Sequence, residues 1–144
     1  MIRQSLPGIM TLGYVERKKL QKQMMHKSLA GLLVGVFTDI TSIDFVGVPT
    51  CETESDYDNN GRIEKATLRF ATNDSIPIYK DLAFVMKDCN GQSWVLGTRE
   101  MPRPIVKVGH STGTPGSDVN IWNFEVTLYS HRALIACETT AKMT

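Results

Sequence analysis

Cysteine is scarce in this chain of 144 residues. The three present, Cys51, Cys89 and Cys137, are widely separated. An odd, scattered set fits neither a disulfide framework nor a zinc site, and reads most simply as three small buried residues of a protein made in a reducing compartment. Charge of one sign is also missing. Sixteen Lys and Arg stand against fifteen Asp and Glu, for a net +1, so no global field drives the chain to nucleic acid or membrane. No apolar run approaches the ~18–20 residues that cross a bilayer, and residues 1–8 lack the sustained apolar stretch of a signal peptide. With 42% apolar and 22% charged residues, the composition is that of one ordinary globular domain, large enough to bury a core without staples.

What is present is turn chemistry. Asp58-Asn59-Asn60-Gly61 and Asp88-Cys89-Asn90-Gly91 each sit between alternating apolar runs. Asn-Gly tolerates the positive φ of a tight hairpin, so both predict antiparallel strand pairs. Around the first, Glu64, Ala66, Leu68 and Phe70 share one face, and Lys65, Thr67 and Arg69 the other. Glu52, Glu54, Asp56 and Asp58 alternate on the preceding run, which sets that face in water. Lys65 and Arg69 are placed to reach Glu52 or Glu54 across the hairpin, for ~0.2–1 kcal/mol a pair.

Further strands are expected near residues 9–15, 31–37, 43–48, 82–87, 94–96, 105–108 and 122–128, with 133–137 as an extension or a separate strand. Val48-Pro49 marks a bend, and Pro102 and Pro104 force residues 98–104 out of any ladder. Seven or eight short strands with this punctuation predict a mainly β fold, a single antiparallel β-sandwich or partly closed barrel with a basic N-terminal extension. The division is an N-terminal strand, arm and basic segment over 1–30 and a β domain over 31–144. Leu82, Phe84, Trp94, Leu96, Trp122, Phe124, Val126 and Leu128 are the expected main core.

The candidate chemistries are weak. Asp56-Tyr57-Asp58-Asn59-Asn60-Gly61 opens like a calcium loop, but the twelfth position, which should supply a bidentate Glu, is Thr67. A bare hairpin turn is preferred. His110-Ser111 and Ser130-His131 are adjacent in sequence, and strand neighbours point to opposite faces, which argues against a nucleophile and base pair. His26, His110 and His131 lack metal-ligand spacing. No catalytic residue, cofactor or metal is expected.

Residues 16–30 break the β pattern. Arg17, Lys18, Lys19, Lys22 and Lys27 crowd there beside one acid, Glu16, and Leu20, Met24 and Met25 could form a short stripe on a helix or an ordered loop. The run has no interleaved aromatics. A solvated face, a protein contact, or the lining of a DNA passage, where cations meet phosphate, are the three readings. The second and third make these five basic residues candidate assembly or DNA-passage contacts.

Ile43-Asp44-Phe45-Val46-Gly47-Val48-Pro49, the Asp58–Gly61 hairpin, and Phe84 to Gly97 with its Asp88-Cys89-Asn90-Gly91 turn resemble small virion-associated proteins of Bacteroidetes phages and prophages. The match ends in Thr112-Gly113-Thr114-Pro115 and the strand Phe124-Glu125-Val126-Thr127-Leu128, and spans roughly residues 43–134, about two thirds of the chain. The resemblance implies a structural virion protein of a bacteriophage, not an enzyme: a ring-forming subunit of the neck (the head–tail connector) or tail, assembled in the host cytoplasm. Its partners would be identical subunits and neighbouring portal, neck or tail proteins, with non-specific contact to packaged DNA and none to membrane. The alternative is a carbohydrate- or receptor-binding β-sandwich module, which calls for exposed aromatics on a sheet face. A small enzyme ranks third.

Overall fold

The structure, a computed structural model, describes residues 2–5, 8–36, 38–58, 61–112 and 120–139. It is mainly β, a sandwich in which one sheet curls as a half-barrel against the other. The first sheet takes β1 (Ile2–Ser5), β5 (Phe45–Asp58), β6 (Gly61–Thr72), β10 (Asn120–Ser130) and β9 (Ile105–Thr112), in the order β1-β5-β6-β10-β9. The second takes β3 (Gly35–Val36), β11 (Leu134–Thr139), β8 (Ser93–Leu96), β7 (Leu82–Asp88), β2 (Ile9–Glu16) and β4 (Thr41–Ser42), in the order β3-β11-β8-β7-β2-β4. Every strand pair is antiparallel except β3 with β11.

Both turn signals sit in hairpins. Asp58 pairs with Gly61, whose φ is +104°, and Asn59 and Asn60 lie outside the described residues. At the second turn Gly91 has φ +85°, and the buried Asp88 carboxylate organises the corner. Its Oδ1 accepts the backbone N–H of Asn90 at 2.9 Å and of Gln92 at 3.0 Å, and its Oδ2 accepts the Trp94 indole N–H at 3.0 Å. The indole bond, backed by the backbone N–H groups, holds this carboxyl below its ordinary value. On β5 the register slips between Val46 and Thr50, and Gly47 at φ +78° carries the bulge beside the expected bend at Pro49.

Alternation places Cys51, Leu68, Phe70, Phe124, Val126 and Leu128 of the first sheet against Leu12, Phe84, Met86, Leu96 and Leu134 of the second. Phe70 stacks on Phe124 at 5.0 Å and tilts onto Phe84 at 6.0 Å. Six of the eight expected core residues are buried there. Trp94 is half-buried, and Trp122, 38% exposed, is a correction. Its partner on β6 is Thr72, the last residue of that strand, so the apolar layer ends before it.

The second sheet is buried on both faces. Ala83, Val85, Val95, Ile135 and Cys137 point away from the first sheet into a second core, roofed by Leu20, Met24, Val34, Val36 and Ile40. The basic segment is therefore built over the sheet as a 3-10 turn (Arg17–Lys19) and a short helix, α1 (Met24–Leu29). Leu20 and Met24, two of the three residues of the expected stripe, are 3% and 0% exposed inside the chain's own core. The expected buried strand over 31–37 is also corrected. Only Gly35–Val36 is strand, Leu32 and Leu33 are exposed, and residue 37 lies outside the described residues.

Candidate contact surface

The end of β2 organises a densely charged part of the molecule. Strand pairing stops at Glu16 opposite Leu82. The Arg17 N–H donates to the Asp81 carbonyl at 3.0 Å, and buried Leu20 pins the 3-10 turn to the sheet. That anchoring turns the Arg17 side chain inward, where it is 5% exposed. Its Nε donates to the Thr98 carbonyl at 2.7 Å, and its Nη2 to the carbonyls of Glu100 at 2.9 Å and Arg99 at 3.3 Å. Its Nη1 lies 3.7 Å from Asp81 Oδ2. Arg17 thus clasps the proline-bounded loop between β8 and β9. Gly97 allows that loop to close, because a Cβ there would stand 2.9 Å from Pro104 Cγ and 3.2 Å from Ala83 Cβ.

Around the clasp, acids and bases alternate. Glu16 Oε1 lies 3.3 Å from Lys80 Nζ and its Oε2 3.4 Å from Lys18 Nζ. The Lys80 hydrogen bond, with Lys18, holds the Glu16 carboxyl below its ordinary value against a smaller desolvation cost. Asp81 Oδ1 pairs with Arg103 Nη1 at 3.2 Å, and Glu100 Oε1 accepts the Gln23 N–H at 2.6 Å. A cleft of about 470 Å³ opens among Glu16, Arg17, Lys18, Lys80, Asp81 and Arg99, and a smaller one beside it reaches Tyr79, Arg103 and Ile105.

Of the five basic residues singled out in the sequence, Arg17 is buried and engaged within the chain, Lys18, Lys19 and Lys22 are exposed, and Lys27 is half-buried. Lys18 shares its cleft with Lys80 and Arg99, and Arg103 stands beside it on Asp81; sequence reasoning missed all three. They arrive from the β6–β7 and β8–β9 loops, and no local pattern marks them as neighbours of residue 18.

A second concavity, about 490 Å³, lies on the outer face of the first sheet among Val46, Val48, Arg69, Lys107, Asn123 and Glu125. The β5 bulge forms its wall. Arg69 Nε lies 3.6 Å from Glu125 Oε2, and Lys65, opposite Glu54, places its ammonium 5.5 Å from the Tyr129 ring.

The remaining sequence candidates are dispersed. Ser130 is buried with its hydroxyl 3.6 Å from Met25 Sδ, while exposed His131 has Nδ1 3.2 Å from the Arg62 carbonyl. His26 is exposed, and the side chain of His110 lies outside the description, as does the loop over 113–119. Cys51 and Cys137 are buried, which pushes both thiols up to about 12, while Cys89 is exposed. No described helix is long and apolar enough to cross a membrane. Comparison of the chain with protein-family models, curated proteins and solved structures returns no match.

Proposed function

We propose that this chain is a structural virion protein of a bacteriophage, a ring-forming subunit of the neck (the head–tail connector) or the tail. The resemblance of residues 43–134 supplies the class. The observation that supports the ring is the edge geometry of the first sheet: it ends in β1 on one side and β9 on the other, neither with an outer strand partner among the described residues. An open edge is a ready template for another chain, and two different surfaces on opposite sides of a subunit make the heterologous contact that closes rings. In this reading the chain does no chemistry. Its partners are identical subunits and the adjoining portal, neck or tail proteins, and its location is the virion. The 1–30 segment contributes its edge strand β1 and its exposed cations, while Leu20 and Met24 are internal.

The test is structural: image purified particles and locate the chain. Repeated copies around the central passage, joined through the edges of the five-stranded sheet, are expected. Absence from purified virions, or presence as a lone monomer, overturns the proposal.

A carbohydrate- or receptor-binding module is the second reading. The groove between the β5 bulge and β9, with Asn123, Glu125 and Arg69 on its lining, favours it. Binding of a glycan panel that is lost in Asn123→Ala and Glu125→Ala would establish it in place of the ring.

A further inference from the structure

We infer that the cationic surface around the Arg17 clasp holds the phosphate backbone of double-stranded DNA without reading its sequence. The inference rests on the ring-subunit reading, in which copies surround packaged DNA, and it assigns the contact to residues from three separate segments. Lys18, Lys19 and Lys22 come from the turn after β2, Lys80 from the β6–β7 loop, and Arg99 and Arg103 from the β8–β9 loop. All six are exposed. Lys18, Lys80 and Arg99 border one cleft with Arg17, and the Gln23–Glu100 bond ties the stretch bearing Lys22 to the loop bearing Arg99.

Arg17 is turned inward, so the six exposed cations stand against three acids, Glu16, Asp81 and Glu100, an excess of three in a chain whose net charge is +1. Each acid is already engaged: Glu16 with Lys18 and Lys80, Asp81 with Arg17 and Arg103, Glu100 with the Gln23 N–H. The excess therefore faces solvent. Arg17 fixes the backbone carbonyls of residues 98–100, so Arg99 is presented from a braced loop and loses little freedom on meeting a phosphate. Among the described residues these cations stand on turns and loops, not on a helix or strand pair that could enter a groove, and contacts confined to phosphate position a protein on the duplex without selecting sequence.

The experiment is fluorescence anisotropy of a labelled duplex of arbitrary sequence with the full chain at varied salt. Binding at ~50 mM salt, independent of sequence, is expected, falling about 40-fold by ~200 mM if about three phosphate contacts are lost to counterions. Lys80→Gln/Arg99→Gln should weaken binding at least ~10-fold and lower the magnitude of the log–log salt slope by about 2. Lys65→Gln/Lys87→Gln, an equal charge loss elsewhere, should leave both nearly unchanged. Thermal melts of both double variants check that they fold.

No binding at ~100 μM protein in low salt, an unaltered slope in Lys80→Gln/Arg99→Gln, or an equal loss in the control pair overturns the inference. So does salt-sensitive self-association, abolished by the first pair, with no DNA binding, because it makes the surface a contact between copies. DNA binding as described by a chain absent from purified virions sinks the ring reading alone. A chain found in virions that fails to bind the duplex sinks this inference alone.

Discussion

Replacing Arg17 by lysine keeps the charge and removes the fork. The guanidinium donates from Nε and Nη2 to two carbonyls at 2.7 and 2.9 Å, with a third at 3.3 Å, from a position only 5% exposed. A single ammonium on a flexible stem cannot reproduce two divergent in-plane donors. One to two charge-assisted bonds are lost, each worth ~1.5–3 kcal/mol, and the buried bond to the Thr98 carbonyl is among those at risk. The expected cost is ~2–4 kcal/mol. Urea unfolding followed by tryptophan fluorescence reads it directly: with a denaturant slope of ~2 kcal/mol per molar, the midpoint should fall by about 1–2 M at unchanged slope. Arg17→Met should cost at least as much. A midpoint for Arg17→Lys within ~0.2 M of the parent would show that only charge matters at this position, and would return Arg17 to the exposed contact role its sequence neighbourhood suggests.

Phe124→Ala should destabilise by ~3–5 kcal/mol through cavity formation beneath the Phe70 stack; an unchanged denaturation midpoint would remove Phe124 from the core. Native protein should react at one thiol, Cys89, with a maleimide near neutral pH, and at three after denaturation, because burial keeps Cys51 and Cys137 protonated and out of reach; mass spectrometry counts the adducts. Asp88 has a folded-state pKa below its ordinary 3.8, so the stability its charge adds is fully present above that value and is lost as pH falls through the lower folded one. The melting-temperature gap between the parent and Asp88→Asn should therefore be constant near neutrality and close below about pH 4. A gap that stays constant down to about pH 2.5 would show that the carboxylate charge adds nothing beyond hydrogen-bond geometry.

The two hairpins illustrate what local chemistry can specify. Gly61 and Gly91 need no distant partner to adopt positive φ, and period-two alternation on β6 and β10 assigns Leu68, Phe70, Phe124 and Val126 to the inner face whatever lies opposite. The antiparallel sandwich was legible for that reason. β7 was legible on one face only. Ala83 and Val85 look like the solvent side of an alternating strand, and nothing nearby in sequence announces that Leu20, Met24, Val34 and Ile40 roof them. Trp122 alternates correctly with Phe124, yet its burial depends on where β6 ends, which is a property of the neighbouring strand.

The contact surface divides the same way. Composition along the chain marked residues 17–27 as basic, and periodicity suggested that Leu20 and Met24 lie on a common face. Which cation points inward is a different kind of fact. Arg17 turns into the protein because Leu20 anchors the turn and the carbonyls of residues 98–100 wait within reach, more than eighty positions on. Lys80 and Arg99 join Lys18, with Arg103 in the neighbouring cleft, only because two loops close over the end of β2. Turn chemistry and alternation are short-range properties of the backbone, so the sequence by itself determined the two hairpins, most of the longer strands and most of the inner face. The second core, the orientation of Arg17 and the convergence of the cations depend on long-range packing, and the tertiary structure alone decided them.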